Sequence, residues 1–302
     1  MKRFDFFIVT YVAAFLLVIP TTILNLLILF LFNKLKKTNK PFPIVVFLTV
    51  TDLLHAVTVS PYIVYLIVKW NRTMINLDPY MVLLSSVPLI IQLKINLTLT
   101  GAIALDRALA LWTPIHYRQI SPSVFANTAL LIGLALAACD LILEFKSTKF
   151  DEVLNCGALG CFISPSFRSY WGTSNMVLSF IVFLLTAVVV VKLQYIRTTS
   201  KKTQKFLKSG KNTLVKANYS ALSFLLCSLL FLTLPSVVVG STELFGEAIF
   251  KFAGPLNLVG LLAAGCSNSI VLVILNNDLR TLTKRLIHKS NPTIRSITIV
   301  VV

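Results

Sequence analysis

A small set of polar and ionisable residues lies inside otherwise apolar runs: Asn25, Asp52, Lys94, Asn96, Asp106, Arg107, Asp140, Glu144 and Asn268. Such groups are costly in hydrocarbon, so they turn toward protein or water and mark relays, pathways or ligand contacts. Three chemistries suit them. Asp106 and Arg107 are neighbours at the end of one run and can form an ion pair that opens and closes. Asn25, Asp52, Asn96 and Asn268 can share one polar cluster. It could be a switch relay, with the Asp52 carboxylate offering oxygen to a sodium ion, or a hydrogen-bond network that only packs helices. Lys94 lies roughly 20 Å above Arg107 at 1.5 Å per helical residue, too deep to reach that surface. It pairs with Asp140 or Glu144, holds an anionic ligand, or snorkels to water.

The elements that carry these residues follow from composition. The chain has 302 residues, 56% hydrophobic and 13% charged, with mean hydropathy +0.84. A soluble chain carries about a quarter charged residues. A helix crosses the hydrocarbon with about 20 apolar residues. Seven runs qualify: 6–32, 43–68, 81–112, 124–145, 173–195, 217–240 and 254–276. The expectation is an all-α membrane protein, a seven-transmembrane helix bundle. The third run is the longest and ends in charge. The seventh is diluted by Gly260, Gly265 and Ser267–Ser269, small residues that suit close helix packing. No transporter-type repeat is visible. Asn277–Lys289 carries Leu279, Leu282, Leu286 and Ile287 among Arg280, Lys284 and Arg285, the pattern of a short amphipathic helix on a membrane surface. Residues 1–290 thus form the bundle domain and 291–302 a tail, whose apolar end Ile297–Val302 either touches the membrane or serves as a strand-adding peptide. The first run is too long for a signal-peptide core and reads as a signal anchor.

The formal charge of +17 excludes nucleic acid as the first reading once its placement is seen. Nineteen of the 28 Lys and Arg residues fall on the side reached after the odd-numbered runs, eight of them between runs five and six. That side is cytoplasmic by the positive-inside rule, which puts the N-terminus outside. The sequon Asn71-Arg72-Thr73 then lies in an outer loop, a candidate for glycosylation, whereas those at Asn96 and Asn218 do not. Cys156 and Cys161 share an outer loop and can form a local disulfide. Cys139, Cys227 and Cys266 read as small buried residues. His55, His116 and His288 are too far apart for a metal motif, and no cofactor is expected.

Leu105-Asp106-Arg107-Ala108 followed by Pro114-Ile115-His116-Tyr117 resembles the signature at the inner end of helix three in rhodopsin-like receptors. Asn25, Asp52, Pro235 and Asn268-Ser269-Ile270-Val271-Leu272 resemble that family's positions on helices one, two, six and seven, with Ser for Pro and Leu for Tyr in the last. The chain departs from the pattern elsewhere. No cysteine precedes span three, Thr233 stands at the helix-six Trp spacing, and span four has no Trp. These departures, with "ALDRALALWTPIHYR" and "SNSIVLVILNNDLR", are more similar to nematode serpentine chemoreceptors of the class BC group. The resemblance implies a G-protein-coupled chemosensory receptor in the plasma membrane, in a sensory cilium. Asp106, Arg107 and Tyr117 would be its switch, and a heterotrimeric G protein, a small-molecule ligand and the lipid bilayer its partners. The apolar upper spans, with Trp70 and Trp171, suit a small apolar ligand. The competing class is a seven-span ligand-gated channel or transporter. An enzyme is disfavoured, because no nucleophile–base set or metal triad appears.

Overall fold

The computed structural model describes residues 2–35, 43–72, 74–203, 222–244 and 250–290, and these are 87% helical with no strand among them. Seven helices are long and apolar enough to cross a bilayer. They are α1 (Lys2–Lys34), α2 (Pro43–Val68), α3 (Pro79–Trp112), α4 (Pro122–Ser147), α5 (Pro165–Thr203), α6 (spanning Leu222–Ser241) and α7 (Phe250–Leu275). An eighth, α8 (Asn277–Ser290), follows. The sequon residue Thr73, the lysines from Lys205 to Lys216, Asn218 and the tail 291–302 lie outside the described residues.

The helices outrun the apolar runs that announce them. The third span is the longest, as expected, at 34 residues against 32 for the fifth, although the whole of helix α5 runs on to 39 residues. The reason is that hydropathy marks only the length dissolved in lipid. Backbone hydrogen bonding continues through polar flanks such as Ser166-Phe167-Arg168 and Thr198-Thr199-Ser200. At the other extreme, α3 starts crisply. Asp78 caps it by accepting from the Met81 N–H at 3.1 Å, and Pro79 takes the first turn, where no N–H is needed.

The bundle encloses α3, which packs against α2, α4 and α5, while α1 closes the ring between α2 and α7. The uncovered faces carry Leu16, Ile23, Leu131, Val191 and Leu230, each more than half exposed, as lipid-facing surfaces must. Two apolar cores stack along the axis. One, around Tyr11, Tyr62, Leu159 and Trp171, lies toward the disulfide-bearing loop. The other, around Ile28, Leu48, Leu99, Ile103 and Leu272, lies toward the Asp106-Arg107 end and receives the buried Leu279 of α8. On each helix the polar residue sits between these cores. Asp52 falls between Leu48 and Ala56, and Asn268 between Ala264 and Leu272.

Helix α6 is not regular. Leu229–Thr233 forms a π turn just before Pro235. Proline has no N–H, so the carbonyl four residues back, that of Phe231, cannot take its ordinary α-helical donor. Gly260 of α7 lies directly against this carbonyl; a Cβ there would come within 2.4 Å of it. The irregular turn of α6 therefore lies where α7 approaches its backbone closely.

Candidate functional site

Four sets of residues stand out. At the basic end, Arg107 Nε donates to Asp106 Oδ2 at 2.9 Å, and Tyr117 Oη donates to Asp106 Oδ1 at 3.0 Å. A short turn, Pro114–Tyr117, brings the tyrosine back onto α3. Arg107 is 7% exposed and Asp106 partly buried, so this is not a solvated surface pair. Burial first, and the Asp106 charge second, push the Tyr117 phenol up to about 12. It stays protonated and keeps donating. Both oxygens of Asp106 are thus occupied by groups that could leave.

At mid-depth, Asp52 accepts from three amides. Gln92 and Asn96 of α3 donate to Oδ1 at 2.8 and 3.0 Å, and Asn268 of α7 donates to Oδ2 at 3.4 Å. Asn25 joins the same layer without touching Asp52. It accepts from Ser269 at 2.9 Å and donates to the Thr21 carbonyl at 2.8 Å. Thr100 then donates to Asn96 at 3.3 Å and lies 3.4 Å from Ser228, which stands on α6 at the threshold of the π turn. The network therefore links α2, α3, α7 and α6. A cation at Asp52 would require these amides to turn oxygen inward. Gln92, Thr100, Ser228 and Ser269 were not foreseen. Gln92 carried a signal, lying one turn from Asn96 on the same face of α3. Ser and Thr carried none, because inside a helix they ordinarily bond their own backbone.

Between Gln92 and Asn96 on α3, Lys94 turns to α4 and α5 instead, its Nζ 3.1 Å from Asp140 Oδ2 and 2.9 Å from Ser174 Oγ. Tyr170 of α5 donates to Asp140 Oδ1 at 3.1 Å. Of the two acids weighed for Lys94, Asp140 makes the pair. Glu144, one turn along α4 and fully buried, has no hydrogen-bond partner on either oxygen.

Beyond this, the loop between α4 and α5 folds back over the bundle. Cys156 is joined to Cys161, with Cα atoms 6.3 Å apart. Asn155 takes a left-handed conformation (φ 57°) that asparagine tolerates, and its N–H donates to the Ile75 carbonyl at 2.8 Å. Tyr11 of α1 donates to the Gly157 carbonyl. Asn71 stands exposed in the α2–α3 loop at this end. Beneath the loop lies a small apolar chamber lined by Tyr11, Tyr62, Leu66, Leu89, Leu159, Trp171, Pro255 and Leu258. Among the described residues no group of His, Cys, Asp and Glu could hold a metal ion.

Seven helices apolar enough to cross a membrane, an eighth after the seventh and an Asp-Arg pair near one end of α3 are the architecture of a serpentine receptor. The chain matches the family described as serpentine type 7TM GPCR chemoreceptor Srbc over residues 3–278, and it belongs to that nematode chemoreceptor family. Among curated proteins, none matches it.

Proposed function

We propose that this chain is a G-protein-coupled chemosensory receptor of the plasma membrane, detecting a small apolar molecule on its extracellular side. The observation that carries this reading is the Asp106–Arg107–Tyr117 latch. It lies at the end of the bundle where α5 and α8 present Lys192, Arg280, Lys284 and Arg285. By the positive-inside rule that end is cytoplasmic, and the disulfide-bearing loop and the N-terminus are outside.

The ligand enters the chamber under the loop. That space holds about 10 Å³, room for one water, so occupancy must part α5 and α7 at Trp171 and Leu258. Separation there loads the π turn of α6, where Gly260 rests on the Phe231 carbonyl. Thr100 and Ser228 then separate, and the basic end of α6 swings outward. Arg107 leaves Asp106 and becomes available to a heterotrimeric G protein. A ligand drives this only by preferring the open arrangement. The mid-depth network acts as the relay, and no catalytic step is assigned to it.

The test is expression in cells with a cyclic-nucleotide or G-protein readout against a library of small apolar compounds. A graded response to some compounds, lost in Arg107→Ala at equal surface level, supports the reading. Responses that persist in Arg107→Ala as ion currents favour a channel.

A further inference from the structure

Where α2, α3 and α4 meet, a groove of about 420 Å³ opens on the lipid-facing side. Leu54 and Leu134 on its wall are 57% and 44% exposed, and Ile91 and Leu130 continue an apolar lining. One side chain does not match this lining. His55 is 4% exposed, and no hydrogen-bond donor reaches either of its ring nitrogens.

A neutral imidazole carries one N–H donor and one acceptor nitrogen. The Pro88 carbonyl lies beside the ring and can serve the donor alone. The acceptor nitrogen needs a donor, and none of the groove's own donors bonds to it. Thr51 and Thr58 donate to carbonyls of their own helix, at 3.1 Å to Leu48 and 2.7 Å to Leu54. The Gln92 amide donates to Asp52 at 2.8 Å. His55 is also halfway along the 26-residue α2, so neither bulk water nor a lipid headgroup lies at its depth. A donor there must arrive on an apolar body. An ammonium would bring a charge that hydrocarbon disfavours. A sterol keeps its hydroxyl at the bilayer surface and is too rigid to submerge it, whereas a flexible chain can dissolve whole.

We propose that this groove binds an aliphatic alcohol from within the bilayer, its chain against Leu54, Ile91 and Leu134 and its hydroxyl donating to His55. The site is separate from the chamber under the loop. It also shares a wall with the relay, because Gln92 lines the groove and holds Asp52. An occupant would therefore bias the α2–α3 contact at mid-depth.

The experiment uses the full chain in lipid nanodiscs and needs no signalling partner, so its outcome is independent of G-protein coupling. A decanol carrying a diazirine in its chain is photolysed and the labelled peptides are mapped. Decanol, decane and cholesterol compete. The expected result is labelling on α2 and α4 around Leu54 and Leu134, with decanol competing at least tenfold better than decane. His55→Leu should erase that preference while leaving the melting temperature near the parent's. Leu134→Trp, which fills the groove without touching His55, should reduce labelling severalfold. Equal competition by decane, or a preference unchanged in His55→Leu, would overturn the proposal. So would cholesterol competing better than decanol, which would make the groove a sterol site, or labelling elsewhere on the bundle.

Discussion

Lys94 and Asp140 meet at 3.1 Å between α3 and α4, the lysine 2% exposed and the aspartate fully buried. Removing one member of such a pair leaves the other charge stranded, at a cost of about 3–5 kcal/mol, whereas replacing both with apolar groups is often neutral. Lys94→Met and Asp140→Leu should each lower surface level and melting temperature, and the double variant should recover most of the loss. Glu144 provides the contrast. It has no partner to strand, and its burial costs about 1–3 kcal/mol. Glu144→Leu should therefore match or exceed the parent's melting temperature. A fall as large as that of Asp140→Leu would mean that the two acids share the lysine. If Lys94→Met melts like the parent but shifts a ligand response by tenfold or more, about 1.4 kcal/mol, the lysine is a ligand contact instead.

A different kind of contact holds the π turn in α6. A methyl on Gly260 would lie 2.4 Å from the Phe231 carbonyl oxygen. Neither backbone can give way locally, so α6 and α7 must separate at the π turn. Gly260→Ala should cost about 1–3 kcal/mol in thermal stability, typical of overpacking, and change basal signalling in cells. Gly101→Ala is the control, because its added methyl meets only the end of Val182 at 3.4 Å. If both variants melt and signal like the parent, the π turn is not held at this contact.

Orientation is tested separately. An epitope at the N-terminus should be stained on intact cells, and one after residue 302 only after permeabilisation. Asn71→Gln should remove any glycan-dependent shift in gel mobility. The reverse staining pattern would put the Asp106–Arg107 latch outside and remove the receptor mechanism.

What was legible in the residues has a physical pattern. Seven spans could be read because hydrocarbon admits only long apolar helices. Helix ends could not, since the flanks of α5 obey backbone bonding and not hydropathy. Asp52, Asn96 and Asn268 were visible as a group because each is too polar for its run, and the fold brings them together. Asn25 lies in the same layer and is tied to it through Ser269, the neighbour of Asn268. The partner of Lys94 was ambiguous for a helical reason: Asp140 and Glu144 are four apart and share a face. Nothing in Leu229–Thr233 announces a π turn; Pro235 stood out only as a resemblance to the receptor family's helix-six position. The groove beside His55 depends on how three helices pack, which no single helix encodes.

The central claim is that Arg107, once released from Asp106, activates a G protein. The direct measurement needs no known ligand: basal nucleotide exchange on co-reconstituted heterotrimeric G proteins, at matched receptor levels. Asp106→Asn removes the charge that holds Arg107, and Tyr117→Phe removes the hydroxyl that shares it. Each should raise basal exchange severalfold, and adding Arg107→Ala to either should return exchange to the level without receptor. If Asp106→Asn with Arg107→Ala exchanges nucleotide as fast as Asp106→Asn alone, Arg107 is not the group the G protein reads, and the account is contradicted.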